Sequence, residues 1–77
     1  MSVIKAVEIR DTDNKRIVRC MPDQQHLYWD VSVKADDQVQ MYYQMHISTI
    51  LDLIYRAGIM GRQCKLIYKG GDDIELQ

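Results

Sequence analysis

The chain has no phenylalanine, a single proline, only two cysteines and no excess of charge of either sign. Ten basic and eleven acidic side chains give a formal net charge of -1, so the chain lacks the overall basic character typical of nucleic-acid and anionic-membrane binders. Two cysteines cannot build a disulfide scaffold, and we expect free or buried thiols. The longest uncharged stretch, residues 38–51, is too short and too polar to cross a bilayer.

The remaining composition is that of an ordinary folded domain. The 77 residues are 47% hydrophobic and 27% charged, which predicts one small domain over residues 1–77 and gives no support for a disordered or collagen-like chain. Glu8 precedes any long apolar run, so the first residues have neither the apolar segment of a secretory signal nor the composition of a transit peptide. We therefore expect a cytoplasmic protein without a membrane segment.

Alternating side chains predict several strands. The clearest covers residues 27–34, where Leu27, Trp29, Val31 and Val33 alternate with polar positions. Residues 3–10 and 16–21 predict a hairpin around the turn-forming residues 11–15, and a further strand is predicted over residues 64–69. The glycine pair at 70–71 can then form a turn before a short edge strand over residues 72–76.

Residues 38–45 fit two patterns. Polar and apolar residues alternate there, as in a strand that follows a turn at residues 35–37. Apolar residues also recur at helical spacing from Val39 to Ile54, and this pattern continues for longer. We therefore predict one helix over about residues 37–57, with Asp36 or Asp37 as its N-cap. In the alternative, residues 38–45 form a fourth strand, and Ser48 or Thr49 caps a shorter helix.

These elements predict an α+β fold. Their order is β-β-β-α-β, with a last short strand at the end, and the helix packs on one face of a small antiparallel sheet. So long an amphipathic helix has more apolar surface than one sheet face can cover, so we expect a homodimer or a protein partner.

The aromatic and methionine residues indicate an interaction surface. All aromatic residues are tyrosine or tryptophan, whose polar ends suit surfaces that are dry only part of the time. Met41, Tyr42 and Met45 are our candidates for the protein interface, because methionine adds adaptable contact area. The same residues can equally fill a small core.

A glycine connector offers an alternative function. Gly58 and Gly61 resemble the GxxG loop of K-homology domains, and Arg56, Arg62 and Lys65 add positive charge nearby. The resemblance implies a nucleic-acid surface, although the loop of that family leads into a helix and this one leaves a helix. A helix end followed by a turn also explains both glycines.

No motif indicates catalysis, a metal or another cofactor. The two cysteines and two histidines are not closely spaced pairs, and no acid–base pair or phosphate loop is visible. We therefore expect a non-catalytic protein–protein interaction or regulatory module. Chain length alone favours an accessory protein that modulates a larger partner, such as an inhibitor from a phage or mobile element. The alternative is a small nucleic-acid-binding protein.

Overall fold

The computed structural model of the protein describes residues 3–68 and the backbone of residues 74–75. The elements, in chain order, are β1 (Ile4–Asp11), β2 (Arg16–Pro22), β3 (Tyr28–Ala35), β4 (Gln38–His46), α1 (Ile47–Ile59), β5 (Gln63–Tyr68) and the short β6 (Ile74–Glu75). The predicted α+β class is confirmed, and so are the first three strands and the strand after the helix. The last predicted strand is present as β6, whereas the glycine turn at 70–71 lies outside the described residues.

The strands form one antiparallel sheet in the order β4-β3-β2-β1-β5-β6. The first four strands follow one another as hairpins, and β1 lies in the interior between β2 and β5. The chain reaches β5 only by crossing one face of the sheet, and α1 makes this crossing. Among the described residues, no helix is long and apolar enough to span a membrane.

Aspartate residues contribute to two of the hairpin turns. Both carboxylate oxygens of Asp11 accept hydrogen bonds from Asn14, one from its side chain at 2.8 Å and one from its backbone N–H at 3.3 Å. Between β3 and β4, Asp36 has a φ of 55°, a conformation that aspartate tolerates better than most residues. The pairing of Ala35 with Gln38 leaves a two-residue loop.

The prediction of a helix starting near residue 37 is wrong, and the alternative strand is confirmed. Residues 38–46 form β4, and the helix begins at Ile47. The tight turn after Ala35 brings this segment beside β3, where its backbone joins the sheet, and its valine and tyrosines are residue types that favour strands. Helical periodicity extended across this boundary because Val39, Tyr42 and Tyr43 happen to continue the apolar spacing of α1.

The ends of α1 have well-defined caps. The N-cap is His46, whose Nδ1 accepts the Ser48 backbone N–H at 3.1 Å, so neither the aspartates nor Ser48 or Thr49 has this role. At the other end, the Arg62 N–H donates to the Ala57 carbonyl at 2.8 Å while Gly61 has a φ of 69°. This Schellman-type end explains the requirement for glycine at position 61.

The core lies between α1 and the sheet. Ile50 is the most deeply buried residue of the helix and packs into a cluster of buried residues formed by Val7, Cys20, Trp29, Val31 and Ile50 itself. A second buried cluster consists of Ile9, Ala57 and Cys64. The helix thus passes from the β3–β4 side at its start to the β1–β5 side at its end, and it crosses the sheet diagonally.

Candidate functional site

The edge strand β4 is largely exposed. Among the described residues it pairs with β3 alone. Its nine residues include no charged residue and no proline, and all of them except Met45 are exposed. The most exposed apolar side chains are Val39 at 58% and Tyr43 at 66%. Edge strands are usually protected by charge, proline or short length, so β4 is suited to accept another strand.

A β-bulge divides β4 into two parts. The register with β3 shifts between Trp29 and Val31, and Gln44 has a φ of 56°. The Gln44 N–H donates to Asp30 Oδ1 at 3.2 Å, which holds the bulge in place. Regular pairing with β3 therefore covers residues 38–42 before the bulge.

The strand separates the three residues predicted as one interface. Tyr42 lies opposite Val31 and Met45 opposite Trp29, so both share the sheet face that α1 covers. Met41 lies opposite Ser32 on the other face. The prediction that these three residues share a helix is wrong, although Met41 and Tyr42 remain exposed, at 36% and 42%.

A cleft opens beside β4 on the helix side of the sheet. Because α1 crosses diagonally, it leaves the corner over β2, β3 and β4 uncovered, and the resulting cleft has a volume of about 280 Å³. Its walls are mainly apolar and consist of Ile9, Val18, Val31, Val33, Tyr42, Met45 and Leu53, with Thr49, Asp11, Arg16 and Arg62 also contributing. Tyr42 thus connects the cleft to the exposed edge.

An ion pair closes one end of this cleft. The Arg62 guanidinium lies 3.1 Å from Asp11 Oδ2, and the Asp11 side chain is only 7% exposed. The side-chain hydrogen bond from Asn14 is the main cause that lowers the pKa of Asp11 below its ordinary value of 3.8, and the charges of Arg62 and Arg16 lower it further. The pair ties the first hairpin to the segment after α1.

The basic residues near the glycine connector do not converge. Arg56 forms an ion pair with Asp52 at 3.0 Å on the outer side of α1, and Arg62 pairs with Asp11. Lys65 lies opposite Glu8 on the sheet face away from the helix, because its neighbour Cys64 is buried beneath α1.

The two glycines of the connector have different positions. Gly58 is part of α1, and Gly61 forms the turn that ends it. The helix-end interpretation therefore accounts for Gly61, whereas it is wrong for Gly58, because the helix continues past it to Ile59. The nucleic-acid function stays a prediction that no observed contact favours.

The two thiols are buried rather than arranged for chemistry. Cys20 and Cys64 are free and are 0% and 3% exposed. Burial, with a smaller effect of Cys64, raises the pKa of the Cys20 thiol to about 11, so it is protonated at neutral pH. Within the described part of the chain, no group of three or more histidine, cysteine or acidic side chains could hold a metal ion.

Sequence reasoning missed two exposed apolar surfaces. Val39 and Tyr43 add exposed apolar side chains to the β4 edge. In the sequence, the only sign of this surface was the absence of charge in residues 38–46. The outer side of α1 presents Leu51, Tyr55 and Ile59, which are 59%, 69% and 68% exposed. Their four-residue spacing was present in the sequence. The predicted helix over residues 37–57 was too long, however, and its apolar stripe placed Leu51 on the side that faces the sheet.

Comparisons with known proteins give no further indication of function. No protein-family model matches the chain, and searches of curated proteins and of solved structures give no match either.

Proposed function

We propose that this chain is a non-catalytic protein interaction module that binds and modulates a larger partner through the β4 edge. One observation carries the proposal: an edge strand of nine residues without charge or proline is exposed along almost its whole length. Such an edge favours aggregation unless it is used for binding, so its lack of protection supports a role in recognition.

The binding mode that fits this edge is the addition of a strand. A partner strand would hydrogen-bond to the free backbone groups along residues 38–42, and side chains on both faces would provide specificity. Val39 and Met41 present apolar contacts on one face, and Tyr42 presents its ring on the other, next to the cleft. The polar glutamines between them keep the free edge compatible with water.

We place this activity in the cytoplasm. The buried free thiols of Cys20 and Cys64 support a reducing compartment, since disulfides form mainly in oxidising ones.

The proposal is tested by comparing variants in affinity capture from cell extract. The edge variant carries Val39→Glu together with Met41→Glu, and the control carries Leu51→Glu on the outer side of α1. We expect a protein that wild type and control retain and that the edge variant loses. Hydrogen exchange of the purified complex should then show slower exchange of the amides of residues 38–42. If the edge variant retains the same proteins as wild type, the proposal is wrong.

A further inference from the structure

We propose that the β4 edge pairs with β4 of a second copy of the chain, in antiparallel orientation centred on Gln40. The inference rests on the proposed function, because it names one occupant of the same edge. Two sheets would join into one continuous sheet about a two-fold axis perpendicular to it, with both helices on the same side.

The charge of the edge supports a second copy. Self-pairing places identical strands side by side, so any charged residue near the centre would face a like charge. Residues 38–46 carry no charged side chain, and self-pairing therefore brings no repulsion within the strand pair. An edge adapted to a charged partner strand would be expected to carry the opposite charge.

The pattern of side chains is complementary to itself in this register. Centring on Gln40 places Val39 opposite Met41 of the second copy, and Met41 opposite its Val39. Both residues lie on the face away from α1, since they pair with Lys34 and Ser32 of β3. Four apolar side chains that are exposed in the monomer would then pack together. On the other face, Tyr42 lies opposite Gln38 of the second copy.

The bulge and the helix select this register. The bulge at Gln44 ends the regular strand, so any shifted register pairs fewer of residues 38–42. The helix starts after His46, at the far end of β4, and crosses away from residues 38–42. A second copy can therefore approach this part of the edge without contacting its helix.

The size of the interface predicts a weak dimer. Five paired residues on each strand bury less than the roughly 1,200 Å² of a standard stable interface, so we expect a dissociation constant in the micromolar range. A partner that binds the same edge more tightly would displace the second copy from such a dimer. The dimer would then be the form of the protein in the absence of that partner.

Sedimentation equilibrium at micromolar to submillimolar loading tests the inference. The repulsive variant carries Val39→Glu with Met41→Glu, so that acids face acids across the pair. The matched variant carries Val39→Glu with Met41→Lys, so that each acid faces a lysine. Leu51→Glu is the control for added charge on another exposed apolar residue. Circular dichroism verifies that every variant is folded.

We expect the wild type and Leu51→Glu to dimerise equally. The repulsive variant should dimerise at least about tenfold more weakly, and the matched variant should recover most of this loss, since opposite charges in facing positions attract. Amides of residues 38–42 should exchange more slowly as the wild-type concentration rises.

Three results would overturn the inference. The first is a wild-type chain that stays monomeric throughout. The second is a dimer that neither edge variant weakens, or that both weaken equally. The third is a dimer that Leu51→Glu disrupts, which would place the interface on the outer side of α1. The capture experiment above remains a separate test of the proposed function. If the edge binds only a different protein, the wild-type chain is monomeric, and the edge variant still loses that protein in the capture experiment.

Discussion

Replacement of Ile50 by alanine should remove a large part of the stability of this protein. Ile50 is 1% exposed and is the only fully buried large side chain that α1 contributes among the described residues. It packs into the cluster containing Val7, Trp29 and Val31. The substitution removes three carbon groups, which corresponds to about 2.4 kcal/mol at 0.8 kcal/mol per group. The cavity that remains increases the total to about 3 kcal/mol.

This loss is large compared with the expected total. At roughly 0.05–0.15 kcal/mol per residue, a chain of this size has a free energy of unfolding of about 4–12 kcal/mol. In a domain of this size each kcal/mol changes the Tm by about 4–8 °C, so Ile50→Ala should lower the Tm by about 12–24 °C.

The neighbouring residue provides a matched control. Leu51 is 59% exposed, and Leu51→Ala should change the free energy of unfolding by less than about 0.5 kcal/mol. Urea denaturation followed by circular dichroism measures both variants. Equal losses for the two, or a loss below about 1 kcal/mol for Ile50→Ala, would refute the packing of α1 on the sheet through Ile50.

Further predictions concern the Asp11 carboxylate in the first turn, the buried Cys20 thiol, and the glycines Gly58 and Gly61. The pKa of Asp11 is lowered in the folded state, so its stabilising effect is present above its ordinary value of 3.8 and is lost as the pH falls through the folded pKa. Asn14→Ala removes the side-chain hydrogen bond that lowers this pKa, so it should raise the pKa of Asp11 in an NMR titration. An unchanged pKa would contradict the assigned cause. The Cys20 thiol should react with Ellman's reagent at pH 8 only after denaturation, because it is 0% exposed. Gly58→Ala should stabilise the protein by about 0.5–1 kcal/mol, since nothing lies within 4 Å of the added methyl group. Gly61→Ala should destabilise it by about 1 kcal/mol in thermal denaturation because its φ is 69°, and equal effects at the two positions would refute the described helix end.

Local patterns in the sequence were sufficient to predict the class of fold and most of its elements. Strict alternation from Leu27 to Lys34 indicated a strand with one buried face, and turn-forming residues at 11–15 indicated the first hairpin. The free, buried state of the two cysteines was also predictable from their number and context. These features depend on local periodicity and on the chemistry of a few residues, which a single chain displays directly.

Strand pairing fixes the secondary structure of residues 38–46 and, with it, the candidate site. Val39, Tyr42 and Tyr43 satisfy both the helical and the strand spacing, so local pattern does not separate the two. Pairing with β3 across the two-residue loop at Asp36 resolves the ambiguity, because it satisfies the backbone of one side of β4. Strand alternation then places Met41 and Tyr42 on opposite faces, and the bulge at Gln44 brings Met45 onto the same face as Tyr42. Which strand lies at the edge, and is therefore free to pair again, follows from the order of the sheet, and no local sequence signal contains that order.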